Sequence, residues 1–195
     1  MRIGDQFKKW APLALLALAF ALPAQARDVS GVKVDDTATV GGKELKLNGA
    51  GMRAIVFIKF YAIGLYLPEK KSTPAEVQAE AGPRRVSLTI QREINSEEFG
   101  QLFITSMNKN STKEEKAKVV NQTVKFGEMF ASLDKVVKGD IITLDWIPGT
   151  GTVSTLNGKK IGETLPGIDF YNAVLRIWLG DSPAQESVKK DLLGG

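Results

Sequence analysis

Ile55-Val56-Phe57-Ile58-Lys59-Phe60-Tyr61-Ala62-Ile63-Gly64-Leu65-Tyr66-Leu67 is the most informative run in the chain. It is β-branched and aromatic, and apolar at odd and even positions alike. Such a run predicts a long central strand covered on both faces. Pro68 ends it, because proline has no N–H for a sheet ladder. Upstream, Val32 to Leu47 reads as two short strands joined at Gly41-Gly42, where both residues can take positive φ. Asn48-Gly49-Ala50-Gly51 reads as a second break. Downstream, Thr73-Pro74-Ala75-Glu76 is a capping box with proline in the first helical turn, and the short helix it starts stops at Gly82-Pro83. Arg85 to Ile94 alternates apolar and polar residues and predicts a half-buried strand.

The second half of the chain supplies most of the helices. Asn95-Ser96-Glu97-Glu98 and Ser111-Thr112-Lys113-Glu114 cap two of them. The apolar residues of the first (Phe99, Leu102, Phe103, Met107) and of the second (Val119, Val120, Val124, Met129, Phe130, Leu133) fall at helical spacing. Ile141 to Ile147 and Thr152 to Leu156 read as strands, and Asn157-Gly158 turns the chain again. A helix from about Asp169 to Gly180 carries one apolar stripe. Ser182-Pro183-Ala184-Gln185 reads as the cap of a last helix ending at Gly194-Gly195. The order lacks strict strand–helix alternation. It predicts an α+β fold in which helices cover one face of an antiparallel sheet.

The chain has 195 residues, 43% of them hydrophobic, with no cysteine and no histidine. Disulfides, thiolate nucleophiles, Cys-ligated metals and imidazole catalysis are therefore excluded. No metal ligand set is read, and no cofactor either. An enzyme of this composition would work with Arg, Lys, Tyr, Ser, Thr or carboxylates. The net charge is +4, but the cations are scattered among acids, which argues against a nucleic-acid-binding face.

Residues 1–26 resemble an export signal. Arg2, Lys8 and Lys9 precede an uncharged Leu/Ala-rich run from Ala11 to Leu22, and Ala24-Gln25-Ala26 has the small residues of a cleavage site. The run is short against the roughly 20 apolar residues of a spanning helix. A single domain from residue 27 to 195 is expected in the periplasm, with no membrane span once the signal is removed. The oligomeric state is not legible.

Two cations invite attention. Lys59 interrupts the apolar strand on the face predicted to hold Phe57, Tyr61 and Ile63. It sits either at the sheet margin with its stem on apolar surface, or in a ligand pocket. Arg53 follows Gly49-Ala50-Gly51-Met52, where small residues permit close approach and a guanidinium can meet an anion with a fork of donors. Asp140 and Asp145 do not form a convincing catalytic pair. Trp146, Trp178, Phe126 and Phe130 read as core.

Gly49-Ala50-Gly51-Met52-Arg53 followed by Phe57-Ile58-Lys59-Phe60-Tyr61-Ala62-Ile63-Gly64-Leu65-Tyr66-Leu67 resembles the chalcone isomerase family, and Phe170 to Gly180 looks like its late pocket helix. The export signal and the Ile177-Trp178-Leu179-Gly180 ending look like its bacterial exported branch. The resemblance implies an open-faced β-sandwich with a ligand cleft between sheet and helices. It places the family's catalytic arginine at Arg53, there to stabilise an oxyanion. A family threonine falls at Tyr61, a tyrosine at Phe99, an asparagine at Ser106 and a second threonine at Ile177. The arginine survives, one donor is changed, and others are lost. If the chain is active, Arg53 and Tyr61 are its catalytic residues.

The family also has a fatty-acid-binding branch, whose Arg and Tyr pairing Arg53 and Tyr61 resemble. The favoured expectation is therefore a non-catalytic binder of a fatty acid or similar amphiphilic carboxylate. Arg53 and Tyr61 would hold its head. Lys59, Phe57, Ile63, Phe99, Phe103, Ser106 and Ile177 would complete the binding site. The alternatives are an isomerase (intramolecular lyase) acting on a chalcone-like or unknown substrate, and a structural envelope protein.

Overall fold

The sheet that organises the protein is built around a hairpin of two long strands, Lys43–Ile55 (β4) and Ile58–Leu67 (β5). The computed structural model describes residues 26–195. The expected export signal lies, but for Ala26, outside the described residues. In chain order the first strands are Ala26–Val29 (β1), Val32–Asp35 (β2) and Thr37–Val40 (β3), before β4 and β5. The helix Pro74–Ala79 (α1) and the strands Arg84–Ile90 (β6) and Ile94–Asn95 (β7) follow. Three helices come next: Ser96–Lys109 (α2), Lys113–Lys118 (α3) and Val120–Ala131 (α4). Four strands, Lys135–Val136 (β8), Ile141–Ile147 (β9), Gly151–Leu156 (β10) and Lys159–Leu165 (β11), precede Ile168–Leu179 (α5) and Glu186–Leu192 (α6).

Seven strands form one antiparallel sheet in the order β11-β10-β9-β6-β5-β4-β3. One face carries the main core. Ile63, Leu65 and Leu67 of β5, with Val86, Leu88 and Ile90 of β6, pack there against Phe103, Phe126, Phe130 and Trp178 from the helices. The opposite face holds a smaller core, where Val29, Val32 and Val34 of the β1–β2 hairpin cover Leu45, Leu47, Ala62 and Tyr66. The α+β architecture with helices on one face is thus present, and β5 is covered on both sides as its composition demands.

Several boundaries differ from the sequence reading. Asn48 to Gly51 is no break but the middle of β4, with Gly49 to Gly51 held in register against Leu65 to Ile63. A bulge between Leu47 and Gly49 shifts the alternation by one residue. Leu45 and Leu47 face the small core, and after the bulge Ala50 and Met52 do so. Gly49 and Gly51 therefore face the helices, and α6 lies directly on them. A Cβ on Gly51 would sit 2.6 Å from Asp191 Oδ2, and one on Gly49 would strike the Asp191 carbonyl. The glycines are there to admit a helix. The bulged Asn48 fastens the end of that helix: its Nδ2 donates to Leu192 O at 2.6 Å and to Lys71 O at 2.9 Å.

The long central strand also divides. Val56 and Phe57 form a two-residue turn, since Ile55 pairs with Ile58. The predicted second helix is two, α3 and α4, meeting at Val119. The last helix begins at Glu186, after Gln185. Gly41-Gly42 and Asn157-Gly158 turn the chain as expected, all four residues at positive φ.

Candidate functional site

A cleft of about 270 Å³ opens between the β4–β5 hairpin, α2 and the segment joining α5 to α6. Arg53 and Tyr61 stand on its sheet side, Phe99, Phe103 and Ser106 on α2, and Ile177 on α5. These six of the nine expected residues are brought together. Phe60, Ile94, Leu102 and Ala184 extend the apolar wall.

The remaining three expected residues lie elsewhere. Phe57 is at the hairpin tip, 95% exposed, because the chain turns there instead of continuing. Ile63 is fully buried in the main core. It shares Tyr61's face but lies two residues deeper, about 7 Å further along the strand. Lys59 points to the other face of the sheet. A second bulge leaves Phe60 unpaired, with Arg53 opposite Tyr61 but Ala54 opposite Lys59. The extra residue breaks the alternation. Phe60 then joins Tyr61 at the cleft, while Lys59 Nζ donates to Ser30 O in the β1–β2 turn at 2.8 Å. Lys59 is thus the margin lysine of the two alternatives.

Arg53 and Tyr61 are cross-strand neighbours. One guanidinium nitrogen, Nη1, donates to Gln185 Oε1 at 3.0 Å and to Ala54 O at 3.1 Å. Gln185 Oε1 also accepts from Ala54 N at 3.1 Å. Gln185, just before α6, therefore fixes both the arginine and the strand that bears it. No carboxylate of the described residues lies within ion-pair distance of Arg53. A half-buried cation beside an apolar cleft is thus left with donors to spare.

Tyr61 is held from behind. Trp178 Nε1 donates to its hydroxyl oxygen at 3.0 Å. An oxygen that accepts from the indole keeps its own hydrogen to give. Burial pushes the phenol up from 10.0 to about 12, against the lowering pull of the Trp178 hydrogen bond and the Arg53 charge. The hydroxyl is therefore neutral, and a donor, at ordinary pH. Its ring packs against Phe99 at 5.9 Å, and Phe99 against Phe103 at 4.5 Å. Phe103 in turn meets the Trp178 ring edge-on at 5.5 Å. The donor and the apolar wall are one packed unit.

The profile of the chalcone isomerase-like family matches residues 26–194. The chain belongs to the chalcone isomerase-like family. Among solved structures, an Arabidopsis thaliana fatty-acid binding protein superposes with a TM-score of 0.62 at 15% identity, over 84% of this chain and 92% of that one. At that identity the likeness shows a shared fold. No curated protein sequence matches the chain. The cleft lies between the sheet and the helices.

The site also contains residues that sequence reasoning missed. Gln185 reads as a helix cap, and only the docking of α6 on Gly49 and Gly51 brings it to Arg53. Trp178 reads as core, which it is, fully buried, but its indole N–H has a second task. The two aspartates stand in separate interactions. Asp145 pairs with Arg85 through two bonds of 2.6 Å, and Asp140 accepts from Val137 N and Asn157 Nδ2.

Proposed function

We propose that this protein is a non-catalytic binder of a carboxylate with an apolar tail, exported to the periplasm. The observation that carries this reading is one pairing. An arginine with no acidic partner among the described residues and a neutral tyrosine hydroxyl with a hydrogen to donate stand side by side on the wall of an apolar cleft. A carboxylate accepts from both, in charge-assisted bonds about twice as strong as neutral ones. Phe60, Phe99, Phe103 and Ile177 surround the tail. The volume of about 270 Å³ is just below the roughly 300–1,000 Å³ of ordinary ligand pockets. It suits a short or medium acyl chain, or a longer one whose end leaves through the mouth.

The fatty-acid binding protein that shares this fold supports the same ligand class. Turnover is disfavoured because Phe99 and Ile177 offer no hydroxyl where the family's chemistry uses one, and each missing donor forfeits several kcal/mol of transition-state stabilisation, about 3 by analogy with an oxyanion-hole donor. The signal-like pattern of residues 1–26 supports export.

Mass spectrometry of an organic extract of the gently purified protein tests the proposal. A bound amphiphilic acid is expected, and decanoate is expected to bind the emptied protein but not Arg53→Ala. Protein that is ligand-free and also ignores added fatty acids refutes it. Conversion of a chalcone above the spontaneous rate, lost in Arg53→Ala, establishes the isomerase instead.

A further inference from the structure

The cleft mouth is continuous with an apolar projection that neither core covers. Ile55, Val56, Phe57 and Ile58 are consecutive at the β4–β5 tip, 49%, 82%, 95% and 51% exposed. Two other two-residue turns in the same sheet use Gly41-Gly42 and Asn157-Gly158, the residues such turns favour. This one uses Val-Phe. Val56 stands at φ +57, a conformation unfavourable for a β-branched side chain. Strain and exposure together mark the tip as shaped for something other than water.

The charge around the tip indicates what that is. Toward the tip the hairpin carries Arg53 and Lys59, and from Gly49 to Pro68 it has no Asp or Glu. Arg92 stands over the Phe60 ring, 5.4 Å from its centroid, behind the same hairpin. An apolar point with cations at its base complements an anionic phospholipid surface. The dimensions agree. Lys59 is two residues from Phe57, about 7 Å along a strand, and interfacial segments bury their apolar side about 5–10 Å into the headgroup boundary. Four residues at a point are too small for a stable protein interface, which buries about 1,200–2,000 Å².

We propose that the β4–β5 tip inserts into anionic phospholipid membranes and so turns the cleft mouth toward the bilayer. Ile55 belongs to both the tip and the cleft wall, which places the ligand entrance at the membrane surface. No described helix is long and apolar enough to cross a membrane, so the attachment is peripheral and reversible.

The test is co-sedimentation with phosphatidylglycerol/phosphatidylcholine vesicles and with phosphatidylcholine vesicles alone. The wild type is expected to partition onto the anionic vesicles, less so at high salt. Val56→Asn/Phe57→Gly, which installs an ordinary hairpin turn, is expected to lose at least tenfold in partitioning while keeping its melting temperature. Its decanoate affinity in vesicle-free solution is also expected to be unchanged, so failure of membrane docking and failure of carboxylate binding read out separately. Wild-type protein that ignores anionic vesicles overturns the proposal, as does a variant that partitions equally well. Self-association of the wild type, abolished in the variant without any vesicle binding, overturns it in favour of an interface between copies.

Discussion

Tyr61→Phe removes one oxygen and strikes two functions at once. The ring stays, so its packing against Phe99 at 5.9 Å is kept. What goes is the acceptor for Trp178 Nε1, now 3.0 Å away. Trp178 is fully buried, so no water replaces that acceptor. A buried donor left unsatisfied costs about 1–3 kcal/mol. In a domain of this size each kcal/mol lowers the melting temperature by about 2–4 °C, so a drop of about 2–12 °C is expected by circular dichroism.

The same change removes the hydrogen offered to a carboxylate. A hydrogen bond to a charged group contributes about 1.5–3 kcal/mol, so decanoate affinity measured calorimetrically is expected to fall about 10- to 150-fold. Trp178→Phe supplies the control. It should cost less in the Tyr61→Phe background than in the wild type, by about 0.5–1.5 kcal/mol, the worth of the shared bond. Additive losses refute the indole–phenol bond as a stabilising element. An unchanged decanoate affinity in Tyr61→Phe refutes the hydroxyl as a ligand contact.

Three further outcomes are expected. Gly49→Ala drives a Cβ into the Asp191 carbonyl and is expected to destabilise by about 1–3 kcal/mol, as overpacking does. Hydrogen exchange should then rise in α6, and decanoate affinity should fall with it, because Gln185 leaves Arg53. Arg53→Ala breaks no ion pair among the described residues and is expected to abolish carboxylate binding with little change in thermal stability. Alkaline titration supplies the third. Burial raises Tyr61 and Tyr66 from 10.0 to about 12, and the native state therefore holds these protons more tightly than the unfolded chain. Their contribution to stability is complete below pH 10 and is lost as the pH rises from 10 toward 12. Tyrosinate absorbance should stay flat near pH 10 and rise together with unfolding. An ordinary titration near pH 10 in folded protein refutes the buried hydroxyls.

How much of this was legible in the chain depends on the range of the interaction concerned. Gly41-Gly42, Asn157-Gly158, the capping box at Thr73 and the cap at Asn95 act within a few residues, and local chemistry is enough to place them. The box read at Ser111 and Glu114, by contrast, forms one residue later, at Thr112 and Glu115. The tip at Val56-Phe57 was not legible, because neither residue favours a tight turn. Pairing of Ile55 with Ile58 across the hairpin imposes it. Asn48 to Gly51 misled for the opposite reason. Its composition is that of a loop, but the glycines make room for a helix from the far end of the chain, and Asn48 holds that helix by its Leu192 carbonyl.

Read alone, the chain settles the α+β class, the sheet core and the absence of thiol and imidazole chemistry; Arg53 and Tyr61 stand out in it only through the family resemblance. Hydrophobic pattern and residue chemistry are properties of the chain and can be read along it. Which way the side chains point is settled by strand pairing and docking. Each bulge in β4–β5 reverses the alternation beyond it, so one inserted residue sends Lys59 away from the cleft and brings Phe60 in. Only the fold, too, brought Gln185 to Arg53 and Trp178 to Tyr61, across more than a hundred residues of chain. Those long-range contacts turn an arginine and a tyrosine into a site, because they hold the two donors in place and leave each with a hydrogen to offer.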